Sequence, residues 1–313
     1  MSTWLLVLII AAAVFSLILG IFYLLFCVAF VRRRNTTGDI DSRQNAFLGK
    51  YKETVRKGMM YAESLPKTEI SVKSYDGLTL VGDYYKNGNS KDTIILFHGY
   101  RSASKRDFSC AIEMYYNMGL NVLLVDQRSH GRSSGKLITF GVKERYDVKS
   151  WVEYVIKNYG EDTNIILDGL SMGATTVLLS TELELPENVK CIIADCGFSS
   201  PYEIIKRVSA KSYHVDSEAV LRILDLYCRI LGSFSIYNIS TVEAMKKNSI
   251  PVFFCHGKAD DFVPCDMSQR AYDAAICEKN IHLAENAGHG MSFLTEPDIL
   301  TCELQEFIKT HIA

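Results

Sequence analysis

The sequence lacks the patterns that mark nucleic-acid-binding and metal-stabilised proteins. Its 34 lysines and arginines are balanced by 36 acidic residues, and no dense basic stretch follows the N-terminal segment. Because nucleic-acid binding needs a concentrated positive surface, nucleic acid is not an expected partner. The nine cysteines form no Cys-x-x-Cys pair and no zinc-like spacing. This favours free thiols in a reducing compartment over a disulfide framework.

A phosphate-binding loop, internal repeats and low-complexity tracts are also absent. The run Gly131 to Lys136 has a glycine spacing one residue too short for such a loop, and Leu137 stands where a hydroxyl residue is needed. The chain has 313 residues, 48% of them hydrophobic. That length and composition suit one large α/β domain or two ordinary ones.

Charge is missing from Trp4 to Val31, a continuous apolar run. The run exceeds the roughly 20 residues needed to span a bilayer. A secretory signal peptide is the alternative, but it would have a basic start, a shorter apolar run and a small-residue cleavage site. Here Arg32, Arg33 and Arg34 follow the run directly. We therefore expect residues 1–34 to be a retained single-pass anchor in the cell membrane, with the rest of the chain on the cytoplasmic side.

Residues 35–68 are expected to form a linker and an amphipathic helix. Apolar residues recur at three- and four-residue steps between Ser42 and Leu65, and Pro66 stops the run. They are Phe47, Leu48, Tyr51, Val55, Met59 and Ala62. This stripe could pack on the protein's own domain, which we favour, or lie on the membrane beside the anchor.

From residue 69 to 313 the pattern predicts an α/β domain. The strands 69–75 and 78–86 are joined by Asp76-Gly77, a strong hairpin signal. Six further strands, predicted at 93–97, 121–125, 164–167, 189–194, 252–255 and 280–284, alternate with helices at 105–118, 142–158, 172–184, 266–277 and 296–311. Repeated β-α-β units imply a mostly parallel eight-stranded sheet with helices on both faces. The site should lie at the carboxyl ends of the strands.

One connection is too long for this scheme. About 55 residues separate the strand ending near Asp195 from the one beginning at Val252, far more than an α/β connection needs. Their content is helical and amphipathic, so residues of about 199–248 are predicted to form a helical cap over the substrate pocket. The alternative is an extra packing layer away from the site.

A nucleophile is indicated by Gly169-Leu170-Ser171-Met172-Gly173, which follows a short apolar strand and precedes a helix. In this setting the serine sits on a sharp bend with its hydroxyl exposed, and the helix start favours negative charge there. Asp168 is unusual, because a carboxylate buried in this strand needs a partner. The sequence indicates none.

An acid and a base follow at two later strand ends. Asp260 stands in His256-Gly257-Lys258-Ala259-Asp260-Asp261-Phe262-Val263-Pro264, and His289 stands in Gly288-His289-Gly290. The neighbouring Asp261 is a second candidate for the acid. The order Ser, Asp, His along the chain suits a nucleophile on such a turn.

With these motifs, the chain from Glu69 to Ile312 resembles the α/β-hydrolase superfamily. The family pattern H-G-x-x-D-x-x-V-P selects Asp260, and Gly288-His289 matches its terminal G-H. The resemblance implies that the oxyanion-hole donors are the backbone amides of Met172 and Tyr100, the latter in the turn His98-Gly99-Tyr100. It also implies that His98 and the run from Asp126 to Gly135 have structural roles. More narrowly, the chain is similar to bacterial membrane-anchored hydrolases of unassigned substrate.

The expected chemistry is acyl transfer to Ser171, with His289 as general base and Asp260 orienting it. No metal or organic cofactor is required. Membrane tethering and an apolar cap suggest a lipid-like acyl ester, hence a carboxylesterase or an enzyme similar to monoacylglycerol lipases. Aminopeptidase, acyl-peptide hydrolase and thioesterase activities would use the same triad. A catalytically silent membrane scaffold, with the cap binding a partner, is the non-enzymatic alternative.

Overall fold

The structure is a computed structural model that describes residues 2–33, 40–41 and 48–312. Residues 34–39 and 42–47 lie outside the described residues. They include Arg34, most of the predicted linker and the start of the predicted amphipathic helix up to Phe47. The strands are β1 Thr68–Lys73, β2 Thr79–Tyr85, β3 Thr93–Phe97, β4 Asn121–Asp126, β5 Ile165–Leu170, β6 Val189–Asp195, β7 Val252–Gly257 and β8 Lys279–Ala284. The helices are α1 Thr3–Phe30, α2 Lys52–Ser64, α3 Ser104–Asp107, α4 Ile112–Asn117, α5 Glu144–Tyr159, α6 Met172–Ser180, α7 Pro201–Tyr213, α8 Glu218–Gly232, α9 Thr241–Met245, α10 Asp266–Ala274, α11 Ser292–Thr295 and α12 Pro297–Ile312.

The eight strands form a single sheet in the order β1-β2-β4-β3-β5-β6-β7-β8. The β1–β2 and β2–β4 pairs are antiparallel and the other pairs are parallel. The predicted fold class, a mostly parallel eight-stranded sheet with an N-terminal hairpin at its edge, is therefore confirmed. Since the parallel strands share a direction, the turns after β3, β5, β7 and β8 meet at one edge.

Apolar runs form the central strands because both faces of the sheet are covered by helices. All five residues of β3 are buried, as expected for a strand packed on both sides. In β7, successive side chains point to opposite faces. Phe254 lies in the core shared with α5 and α6, and Phe253 lies in the core shared with α4 and α12.

The helix predicted at 105–118 is wrong. The chain forms two short helices there, α3 and α4, separated by a turn at residues 108–111. The turn lies where α2 approaches most closely: a Cβ on Gly58 would lie 1.9 Å from the carbonyl oxygen of Ser109. Helical periodicity continues through this turn, so the sequence carries no mark of the break.

The described part of the amphipathic segment packs on the protein's own domain. Leu48, Val55 and Ala62 are buried, and the first two lie in a cluster with Ala287 and Met291. The apolar stripe therefore faces the domain, which is the alternative that we favoured from the sequence.

Helix α1 is long and apolar enough to cross a membrane. Its residues 3–21 are exposed, whereas Phe26 and Phe30 near its end are buried. Phe30 packs edge-on against Phe140 and Phe234, with ring centroids 5.6 Å apart in both pairs. The end of α1 is thus part of a core cluster that it shares with α7 and α8, the two longer helices of the insertion.

Candidate active site

Ser171 lies on the sharp turn between β5 and α6. Its backbone has φ 57° and ψ −113°, a strained conformation for a residue with a side chain. The crossing is tight because a Cβ on Gly169 would lie 2.3 Å from the backbone of Gly173. A Cβ on Gly173 would lie 1.7 Å from the carbonyl oxygen of Phe97. Glycine is therefore needed on both sides of the serine.

We expect Gly173→Ala to destabilise the protein by about 3 kcal/mol or more, because β3 and α6 must move apart to admit the methyl group. Gly20→Ala in α1 is the control, since a Cβ there meets nothing within 4 Å. Thermal unfolding of the full chain in detergent measures both. An unchanged midpoint in Gly173→Ala would show that the crossing is looser than described.

The structure brings Ser171, His289 and Asp260 together. His289 Nε2 lies 2.9 Å from Ser171 Oγ, and His289 Nδ1 lies 2.6 Å from Asp260 Oδ2. The sequence separations are large, 118 and 29 residues. Ser171 is 6% exposed and the His289 side chain is 26% exposed. A hydroxyl, an imidazole and a carboxylate in this order form the chain of contacts needed to activate the hydroxyl.

Asp260 is held ionised by its surroundings. The amides of Phe262 and Val263 donate to its Oδ1, each at 2.9 Å. His256 Nε2 lies 3.2 Å from its Oδ2. Burial opposes ionisation, but hydrogen bonds from His256 and His289 hold the pKa of Asp260 well below its usual range. The other candidate acid, Asp261, is 87% exposed and pairs with Lys211.

The turn that carries Tyr100 lies beside Ser171. A Cβ on Gly99 would be 3.5 Å from Ser171 Cβ. The Gly99 amide donates to Asp107 and the Arg101 amide donates to His130 Nε2. The described chain offers no acceptor to the Tyr100 amide between them. Met172 begins α6, so its amide is one of the donors that a helix start leaves without a partner.

Two buried histidines support this turn. His98 Nε2 accepts from the Gln127 amide, which leaves its Nδ1 to donate to the Gly99 carbonyl at 2.8 Å. His130 Nδ1 likewise lies 2.9 Å from the Arg128 carbonyl. Burial lowers the pKa of both, that of His130 to about 3. Both rings are therefore neutral and structural, the role that the resemblance implied for His98 and for the run from Asp126 to Gly135, which contains His130.

The partner of Asp168 is Tyr115, whose hydroxyl donates to Asp168 Oδ2 at 2.7 Å. Tyr115 comes from α4, 53 residues away, so no local pattern could identify it. Burial raises the pKa of Asp168 to about 7, although the Tyr115 hydrogen bond opposes the shift. The Asp168 carboxyl is a structural group in β5, the strand that precedes the turn carrying Ser171.

The raised pKa of Asp168 predicts a pH-dependent stability. An acid whose pKa is higher in the folded state stabilises fully below its unfolded value of about 3.9, and loses that contribution as the pH rises through the folded value. Stability should fall between about pH 4 and pH 7 by at most about 1.4 kcal/mol per pH unit from this group. We expect Asp168→Asn to flatten that slope in thermal unfolding of the full chain. Asp162→Asn, at an exposed acid paired with Lys91, is the control, and equal slopes in both variants would contradict the assignment.

Two cavities meet at Ser171. One, of about 280 Å³, is lined by Ser102, Arg106, Asp107 and Asp195 together with apolar residues of the α2 region. Most of its lining is apolar, but these four polar or charged residues distinguish it from the second cavity, and we call it the polar chamber. The other, of about 300 Å³, is lined mainly by apolar side chains of α1, α7 and α8. We call it the apolar chamber. Tyr100, Arg101, Ser171 and Phe262 line both.

His256, Asp260, Asp261 and His289 are of residue types that can bind a metal. In the structure, Cys196 lies within 4.8 Å of ligand atoms of Asp260 and His289. Both nitrogens of His289 already face partners, Ser171 and Asp260. Burial holds the pKa of the Cys196 thiol well above its usual value, so it is a weak ligand. The donor set suits a proton relay better than a metal.

Several known proteins resemble this chain in sequence. Residues 88–224 match the model of a family described as serine aminopeptidase, S33. The uncharacterized protein YqkD of Bacillus subtilis is 29% identical over 247 residues, which are 79% of this chain and 80% of that protein. Protein bem46 of Schizosaccharomyces pombe is 23% identical over 201 residues, which are 62% of this chain and 61% of that protein.

Solved structures show the same fold. An esterase of Pyrococcus furiosus, Pf2001, matches with a TM-score of 0.65 and 25% identity, over 81% of this chain and 95% of that one. Est1E of Butyrivibrio proteoclasticus, solved with ferulic acid, matches with a TM-score of 0.62 and 20% identity, over 78% and 99%. The fold and these likenesses define an esterase-like hydrolase scaffold. The chain has the fold of the α/β-hydrolase superfamily.

Proposed function

We propose that this protein is a serine hydrolase that cleaves a carboxylic ester through an acyl-enzyme on Ser171. The observation that carries the proposal is the pair of contacts of His289, 2.9 Å to Ser171 Oγ and 2.6 Å to Asp260 Oδ2. The strained backbone of Ser171 supports it, because such strain is commonly retained where a side chain must be presented to a substrate.

The mechanism assigns a role to each group. Ser171 Oγ attacks the ester carbonyl and its proton passes to His289 Nε2, while Asp260 stabilises the imidazolium. The amides of Tyr100 and Met172 bind the oxyanion, each contributing about 3–4 kcal/mol. The C–O bond breaks as His289 protonates the leaving alcohol. Water then attacks the acyl-enzyme, gives a proton to His289, and the acid leaves as Ser171 recovers its hydrogen.

The domain organisation belongs to the same proposal. Residues 1–34 anchor the chain in the membrane, residues 35–68 link the anchor to the domain, and residues 69–313 carry the hydrolase with a cap at about 199–248. The burial of Phe26 and Phe30 supports a retained helix, since cleaving it as a signal sequence would expose their partners. The arginines after α1 favour a cytoplasmic domain.

The alternatives differ in the bond that is cleaved. The Pf2001 esterase, which matches at 25% identity, supports an ester. The match to a family described as serine aminopeptidase makes peptide cleavage the second candidate. Thioesterase activity would use the same triad, and the scaffold alternative would use none of it.

The test compares three substrates with the purified full chain in detergent. They are a p-nitrophenyl ester, an aminoacyl anilide and an acyl thioester, with Ser171→Ala measured in parallel as background. We expect the highest kcat/KM for the ester. Faster cleavage of the anilide would favour the peptidase, and faster cleavage of the thioester would favour the thioesterase. Absence of turnover on all three substrates, with no labelling by a fluorophosphonate, would leave the catalytically silent membrane scaffold as the remaining alternative.

A further inference from the structure

The end of α1 is bonded to the turn beside the nucleophile. The Tyr100 hydroxyl donates to the Ala29 carbonyl at 2.7 Å. Arg101 donates to the carbonyls of Val28, at 2.7 Å, and Val31, at 3.0 Å. These are among the carbonyls that a helix end leaves without intrahelical partners. The hydrophobic helix is therefore attached to the residue whose amide is proposed to bind the oxyanion.

A second set of backbone bonds fixes the same helix end. The Ile138 amide donates to the Phe30 carbonyl at 2.7 Å, and the Arg32 amide donates to the Lys136 carbonyl at 2.8 Å. Together with the buried ring of Phe30, these bonds hold α1 in one position relative to the domain. A flexible tether would need none of them.

Helix α1 also supplies one wall of the apolar chamber. Leu25, Val28 and Ala29 line it from α1, and Ile204, Ile205 and Val208 line it from α7. Ser171 lies at the boundary with the polar chamber. An apolar chain in this cavity would thus contact the last turns of α1 while its carbonyl reached the nucleophile.

The cap helix α8 lies alongside α1 and exposes apolar side chains. The Tyr227 hydroxyl donates to the Leu19 carbonyl at 2.8 Å, so the contact lies about three turns back from Phe30 at the end of α1. The exposed large apolar residues of α8 are Leu226, Ile230 and Leu231. An amphipathic helix fixed beside a membrane-spanning one has this face available to the lipid.

We propose that the end of α1 is a wall of the acyl-binding site, and that the substrate is a single-chain acyl ester of a polar alcohol, taken directly from the bilayer. This inference rests on the proposed ester hydrolysis and specifies its substrate. One apolar chamber accommodates one acyl chain. The alcohol would lie in the polar chamber, where Ser102, Arg106 and Asp107 form a hydrogen-bonded cluster.

The first test measures acyl-chain preference with p-nitrophenyl acetate and dodecanoate on the full chain in detergent. Each methylene buried in the chamber should raise kcat/KM about fourfold until the chamber is full. We expect Leu25→Trp, which fills the chamber, to lower the dodecanoate-to-acetate ratio by about tenfold or more. Acetate cleavage by the same variant is the reference in this ratio. Leu24→Trp, at an exposed residue of α1 outside the chamber, should leave both rates unchanged.

Leu25→Ala is the second variant, and it should shift the preference toward longer chains. If Leu25→Trp loses acetate cleavage as well, the chain-length preference of Leu25→Ala tests the inference instead. A chain-length profile equal to wild type in both Leu25 variants, with acetate still cleaved through Ser171, would overturn the inference and leave the proposed function standing. Absence of all Ser171-dependent ester cleavage would overturn both.

The second test concerns the source of the substrate. Full-length protein in phosphatidylcholine vesicles is given monooleoylglycerol at constant bulk concentration, while its mole fraction in the bilayer is lowered. We expect the release of oleate to fall in proportion, and cleavage of water-soluble p-nitrophenyl acetate to stay constant. Oleate release that is independent of the mole fraction would show capture from water and overturn the bilayer route.

Discussion

Ser171→Ala is expected to lower kcat/KM for a p-nitrophenyl ester by about four to six orders of magnitude. The alanine cannot form the acyl-enzyme, and His289 then has no hydroxyl to deprotonate. The residual rate should reflect substrate binding and the amides of Tyr100 and Met172 that are proposed to bind the oxyanion. The measurement uses full-length protein, because Phe26 and Phe30 of α1 are buried in the domain and a truncated chain would expose their partners.

Ser150→Ala is the matched control. Ser150 lies in α5, where its hydroxyl donates to the Tyr146 carbonyl, and it lines neither chamber. Its activity should equal that of wild type. A Ser171→Ala enzyme that kept about a tenth of the wild-type rate would assign the nucleophile elsewhere.

Asp260→Asn is expected to lower kcat by about 10⁴-fold while the protein stays folded. In wild type, His289 Nδ1 donates to Asp260 Oδ2 at 2.6 Å, which leaves Nε2 free to accept the Ser171 proton. An amide at position 260 can present its NH₂ group to Nδ1 and so favour the wrong tautomer. It also removes the negative charge that stabilises the imidazolium.

Asp261→Asn separates the two acids that the sequence offered. Its carboxylate is 87% exposed and bonded to Lys211, so the substitution should leave kcat/KM within about twofold of wild type, as for an ordinary surface ion pair. Because the two residues are neighbours with the same chemistry, this is a close control. Loss of activity in Asp261→Asn and not in Asp260→Asn would reverse the assignment.

Much of the fold follows from the sequence because its signals are local. The continuous apolar run of β3 requires burial on both faces, and Asp76-Gly77 specifies the hairpin between β1 and β2. The triad candidates were also accessible, since each follows a strand end and parallel strands bring their carboxyl ends to one edge. Position along the chain therefore predicted proximity in space for Ser171, Asp260 and His289.

Other features depend on contacts that no local pattern records. Tyr115 reaches Asp168 across 53 residues, and His130 reaches the Arg101 amide across 29. The break between α3 and α4 depends on the approach of α2. The sequence does not show that α1 docks on the domain, because its residues are uniformly apolar. A residue such as Phe30, which packs against the domain, is as apolar as one that would face lipid.

The central claim is that Ser171 is a nucleophile activated by His289 and Asp260. Intact-mass spectrometry of the full chain after treatment with a fluorophosphonate tests it most directly, with peptide mapping to locate the label. We predict a single adduct on Ser171 in the wild type, much slower labelling of Asp260→Asn, and none of Ser171→Ala. An unlabelled wild type, or an adduct on another residue that persists in Ser171→Ala, would contradict the account.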